Sequence, residues 1–215
     1  MRYIFTLMLA AVALLGLEFS VLVHEFFHHM AGNKYSKCDT TILIRTIIAG
    51  PRITLRWKNS HKTDLKFVPM RQWDKFEMRG CLGRAYFSNE YRPYNDRELA
   101  IISRAGLYGS ILGYVISPLC ISVLYGIILM DQAGFLLRHY GIVVTQDSVF
   151  MFSAILFAVI YAFMVIAKTR AHFKGASKLG WSDGAIEKDP KGYRMYIEQL
   201  DPESIHTYSG LMKLL

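Results

Sequence analysis

The run His24-Glu25-Phe26-Phe27-His28 combines two imidazoles and a carboxylate at a spacing that can hold and use a metal ion. Histidines at i and i+4 of a helix face the same way, one turn apart, so both can reach one ion. The glutamate beside the first is then placed to act on water activated there. This is the HExxH arrangement of zinc-dependent hydrolases, with His24 and His28 as candidate zinc ligands and Glu25 as candidate general base. His29 is turned about 100° away around the helix, toward a supporting or interfacial role. So short a pattern also arises by chance, and a histidine on an apolar face is usually an ordinary core residue. Here, however, the motif ends a segment, Tyr3 to Val23, that is apolar apart from Thr6, Glu18 and Ser20. Ionisable groups in such a segment cost about 2.5–3.5 kcal/mol each at mid-bilayer and usually mark function.

The elements that must position these residues follow from hydropathy. A chain of 215 residues that is 53% hydrophobic suits one domain with unusually much apolar surface. Three stretches approach or exceed the roughly 20 residues that cross a bilayer: about 3–31, 106–130 and 149–167. They predict an all-α polytopic membrane protein with a three-transmembrane-helix core. A secretory signal peptide is the competing reading of the start, but the apolar run continues past Ala10, Ala11 and Ala13 into the motif without a stop. The intervening loop, 32–104, carries fifteen Lys and Arg against seven acids, and the end of the chain is also basic. The positive-inside tendency puts both in the cytoplasm, beside anionic lipid headgroups.

Within that loop, Thr41 to Ile48 and Arg52 to Trp57 read as strands, with Ala49-Gly50-Pro51 between them as a turn. A small membrane-associated β-hairpin over about 40–58 is the expectation. The second strand alternates Arg52, Thr54 and Arg56 with Ile53, Leu55 and Trp57, as a strand at a membrane surface would. Asn95 to Ser103 reads as an amphipathic helix. Gly106, Gly109 and Gly113 after it have the spacing that lets helix backbones approach closely in lipid. The expected division is a core over 1–187 and a cytoplasmic tail over 188–215. Cys38, Cys81 and Cys120 form no CxxC pair, so neither a disulfide framework nor a thiolate zinc site is indicated. The formal charge of +8 comes with no basic-aromatic motif, which argues against nucleic acid as a partner.

Zinc needs a third protein ligand. On the side of the membrane where the first helix ends, the third helix and the connection after it offer His172 and Asp183. Three segments resemble the site-2 protease family of intramembrane metalloproteases (peptidase family M50). They are His24 to His28 followed by Ala31 and Gly32, Arg104-Ala105-Gly106-Leu107-Tyr108-Gly109-Ser110, and Ser182-Asp183-Gly184-Ala185. Ile48 to Arg52 is similar to the glycine-proline turn of that family's β-hairpin. The resemblance implies that Asp183 completes the zinc site. Phe27 stands where the family usually has glycine, and Leu107 and Ser110 replace the proline and asparagine of its AGPxxN element.

Together these readings predict a zinc metalloendopeptidase of the bacterial inner membrane with its site toward the cytoplasm. It would cut a transmembrane protein or peptide, the lipid bilayer being its other partner, with Thr40 to Trp57 receiving the unwound substrate by edge pairing. A CAAX-processing or HtpX type of membrane zincin would need a ligand glutamate from a second helix, and no matching ExxxD pattern is present. A metal-binding scaffold or regulator without turnover would keep the same ligands.

Overall fold

The motif helix is held between a β-sheet and a second helix, and this sandwich decides where the candidate ligands point. The computed structural model describes residues 2–46, 50–58, 61–72, 82–128, 145–174, 181–204 and 206–215. Helix α1 (Arg2–Tyr35) is followed by strands β1 (Thr40–Thr46), β2 (Ile53–Arg56), β3 (Lys62–Pro69) and β4 (Gly83–Phe87). Then come α2 (Asp96–Gly113), α3 (Ile116–Ile128), α4 (Gln146–Lys174) and three shorter helices, α5 (Asp183–Lys188), α6 (Pro190–Gln199) and α7 (Tyr208–Leu214).

The four strands form one sheet in the order β2-β3-β1-β4, with β1 parallel to β3 and antiparallel to β4. This corrects the all-α expectation: the fold is mixed α/β. It also corrects the hairpin over 40–58. Both strands exist, but β3 lies between them and β2 pairs with β3. The physical reason is legible in β1, whose run Thr41-Ile42-Leu43-Ile44 is buried on both faces, as in a central strand. Ile42 and Ile44 pack with Leu65, Ala85 and Phe87 under Val21, Leu22 and Phe26 of α1. Leu43 points the other way, with Val68 and Tyr86 under Leu211, Tyr208 and Leu215 at the C-terminal end. The alternation of a strand thus places α1 on one face of the sheet and α7 on the other.

Helix α2 opens on a capping box: Asn95 accepts from the Glu98 backbone N–H, and the Glu98 carboxylate accepts from that of Asn95. It ends at Gly113, and a turn at Tyr114 and Val115 separates it from α3. Pro118 explains the break, since it has no N–H to give and its ring crowds the carbonyl of residue 114. Among the described residues two helical stretches, Asp96–Leu124 and Val149–Lys174, are long and apolar enough to cross a membrane, which corrects the expected polytopic core of three transmembrane helices. The second is hardly buried by the protein: Phe150, Val159 and Phe163 are 78%, 62% and 73% exposed. Residues 131–144 of the expected connection, 175–180 of the Gly-rich segment, Ala49 of the expected turn, and Cys81 lie outside the described residues.

Candidate metal centre

On the side of α1 away from the sheet, small residues of α2 let the two helices approach closely. A Cβ added at Gly113 would lie 2.6 Å from the Ser20 Cα, and one at Gly109 would lie 2.9 Å from the His24 Cα. At Gly106 it would lie 2.2 Å from His28 Nε2 and 2.6 Å from His24 Cε1. The glycine spacing read from sequence is therefore the surface against which the two imidazoles rest. Only hydrogen fits there.

Both imidazoles are buried and oriented from behind. His28 Nδ1 donates to the Ile102 carbonyl oxygen at 2.7 Å, which leaves the Nε2 lone pair free to ligate. His24 Nδ1 is 2.8 Å from Ser110 Oγ. With Nε2 as the ligating atom, the proton sits on Nδ1 and Ser110 accepts it. Ser110 thus supports a ligand from the place where the resembling family has asparagine.

The third group comes from the far end of the chain. Asp183 Oδ2 lies 3.0 Å from His24 Nε2 and 3.3 Å from His28 Nε2, and the two Nε2 atoms are 3.1 Å apart. His24, His28 and Asp183 are a group that could hold a metal ion. Tetrahedral zinc with bonds of about 2.0–2.1 Å spaces its ligand atoms roughly 3.3 Å apart. The observed triangle is close to that, and two imidazole nitrogens with one carboxylate oxygen are a donor set that divalent transition metals accept, zinc among them. In the metal-free protein burial alone would raise the Asp183 carboxyl, but the charge of His28 and Nε2–H hydrogen bonds from His24 and His28, which a bound ion would replace, outweigh it. They hold Asp183 well below the usual carboxylate range. The Glu25 Oε1 lies 3.9 Å from His24 Nε2, in a buried position against Gly83 at the start of β4.

The remaining sequence candidates fall elsewhere. His172 Nε2 lies 2.7 Å from the Glu187 carboxylate, outside the ligand group. His29 ties α1 to the sheet, 3.0 Å from both Thr40 Oγ1 and Thr63 Oγ1, with its ring tilted against those of Phe26 and Trp57. Sequence reasoning passed over Ser103, whose hydroxyl donates to the Asp183 carbonyl oxygen, and Glu187. A periodic signal exists only for Glu187, one helical turn after Asp183. Comparisons with protein-family models, curated proteins and solved structures found no match for this chain.

Proposed function

We propose that this chain is a zinc-dependent intramembrane endopeptidase of the site-2 protease type, acting on a transmembrane protein or peptide. The observation that carries the reading is the convergence of His24, His28 and Asp183 with Glu25 beside them. His24 Nε2, His28 Nε2 and Asp183 Oδ2 would hold the ion. Zinc bound there would supply Lewis acidity, polarising a carbonyl and bringing the pKa of water toward about 7. Glu25 accepts the proton from the attacking water and returns it to the leaving amine. Gly106 and the buried ring of His28 keep bulk water from the rear of the site.

The bared apolar surface of α4 favours a lipid setting, because exposed faces of that size on a soluble protein would aggregate. We place α2–α3 and α4 across a bilayer. The basic segment 34–104 suits the cytoplasmic side of a bacterial inner membrane.

Within the segment Thr40 to Trp57, β1 has neighbours on both sides and cannot take substrate by edge pairing, whereas β2 keeps one open edge. The sheet edge nearest Glu25 is that of β4, where the Ala85 carbonyl oxygen accepts from the Tyr91 hydroxyl at 3.4 Å. The bonds Arg45 N–H to Leu82 O and Ser88 N–H to Asp39 O set the ladder, so Arg84 and Tyr86 face β1 while Gly83 and Ala85 turn their backbone groups outward. An unwound substrate segment added there would run beside the general base.

Glu25→Gln tests the proposal on a fluorogenic single-pass transmembrane peptide in nanodiscs. The variant should keep its metal and lose cleavage. Equal cleavage by variant and wild type would refute the assignment, and a metal-bound wild type that cuts no transmembrane substrate would favour a regulator without turnover.

A further inference from the structure

Asp183 is the first residue of α5, a helix of only six residues. An isolated helix so short does not hold its own geometry, yet a metal ligand must be placed within about 0.2 Å. Something must therefore fix α5 against the rest of the protein. Resting on the zinc reading above, we propose that Glu187 is the positioning residue that holds Asp183 at the metal centre, by clamping α5 to α2 and α4 together.

Asp183 and Glu187 are four residues apart and so share a face of α5. The Glu187 carboxylate is divided between two partners. One oxygen accepts from Arg104 Nε of α2 at 2.8 Å, and the other lies 2.7 Å from His172 Nε2 of α4. The Glu187 and His172 side chains are 10% and 2% exposed, so the pair is shielded from solvent. The other end of α5 is seated by contacts that do not involve Glu187. Ser103 donates to the Asp183 carbonyl oxygen, and a Cβ at Gly184 would lie only 1.6 Å from the His172 carbonyl oxygen. Arg104 is two residues before Gly106, so the helix that shapes the imidazole pocket also anchors the third ligand. The lever is short: Glu187 lies about 6 Å along the helix axis from Asp183, and a tilt of about 10° would move the ligand by roughly 1 Å. That exceeds the tolerance of the site several times over.

An anchoring ion pair of purely structural value would change stability and leave the metal geometry alone. The test is therefore zinc affinity by chelator competition, together with the visible absorption of the cobalt-substituted full-length protein. Wild type, Glu187→Ala, Glu187→Gln and Asp183→Ala are compared in detergent. Glu187→Ala should weaken zinc binding about 10- to 100-fold and alter the cobalt spectrum. Glu187→Gln, which can keep one hydrogen bond, should fall between it and wild type. If Glu187→Ala does not fold, Arg104→Gln serves, since that half-exposed cation can be removed while the buried pair stays. It should weaken zinc at least threefold. Zinc affinity within twofold of wild type and an unchanged cobalt spectrum, in either variant, would overturn the positioning role alone. A folded wild type that takes up neither metal would remove the zinc reading and this role with it.

Discussion

Replacing Gly106 with alanine is the sharpest perturbation, because the added methyl enters the site at its metal-facing atoms. The new Cβ would lie 2.2 Å from His28 Nε2 and 2.5 Å from its Cε1, whereas ordinary contact begins at 3.4 Å. The ring must then retreat by about 1.2 Å, six times the roughly 0.2 Å within which metal–ligand distances are held. A side-chain tip can usually give way cheaply. Here retreat also breaks the bond from His28 Nδ1 to the Ile102 carbonyl, one turn earlier on the same helix. The metal-free protein can swing the imidazole aside, so its stability should fall by about 1–3 kcal/mol, the usual cost of overpacking. Zinc binding should suffer much more than the 10- to 100-fold typical of losing an outer-shell partner. Chelator competition and thermal unfolding of the metal-free form, on the same samples, separate the two effects. A Gly106→Ala protein that binds zinc with wild-type affinity would refute the placement of these ligands against α2.

Three further outcomes follow. Ser110→Ala removes the partner of His24 Nδ1 and should weaken zinc about 10- to 100-fold with little change in fold, measured by chelator competition. Ala85→Pro deletes an outward N–H of β4 without touching the ladder to β1; it should slow transmembrane-peptide cleavage while zinc is retained, and unchanged cleavage would sink the β4 docking edge. Asp64 is buried, which opposes its ionisation, but hydrogen bonds from Thr54 and Arg52 and the Arg52 charge prevail and hold its carboxyl below the ordinary range. Its stabilisation is therefore complete above the unfolded value near pH 4 and lost as the pH falls through the folded value. Asp64→Asn should cost about 1–2 kcal/mol at pH 7, since Arg52 is half-exposed. By thermal unfolding that gap should narrow below pH 4, and a gap of constant size would count against the pairing.

What the sequence made legible is local. His24, Glu25 and His28 lie within five residues on one helix, and the glycines at 106, 109 and 113 repeat at the spacing of a helix face, so period alone exposes them. The expected β-hairpin failed because strand pairing is not local. The strand that separates β1 from β2 contains Lys62, Asp64 and Lys66, which broke the apolar pattern. Asp64 is nonetheless tolerated inside because Arg52 and Thr54 satisfy it. Topology leaves Asp183 and His172 as alternatives, and only the resemblance to a family singles out Asp183, since Asp-Gly is an ordinary turn dipeptide. The residues that seat it, Ser103, Arg104, His172 and Glu187, come from three separate helices; the sequence marks only His172, and as a ligand rather than a partner of Glu187.

The central claim is that His24, His28 and Asp183 form one metal site. Zinc per chain in detergent-purified protein, wild type beside Asp183→Ala, tests it most directly. Close to one equivalent in wild type and a clear loss in the variant is the predicted result. A folded wild type that neither contains nor takes up zinc, or a variant that keeps it at wild-type affinity, would contradict the site.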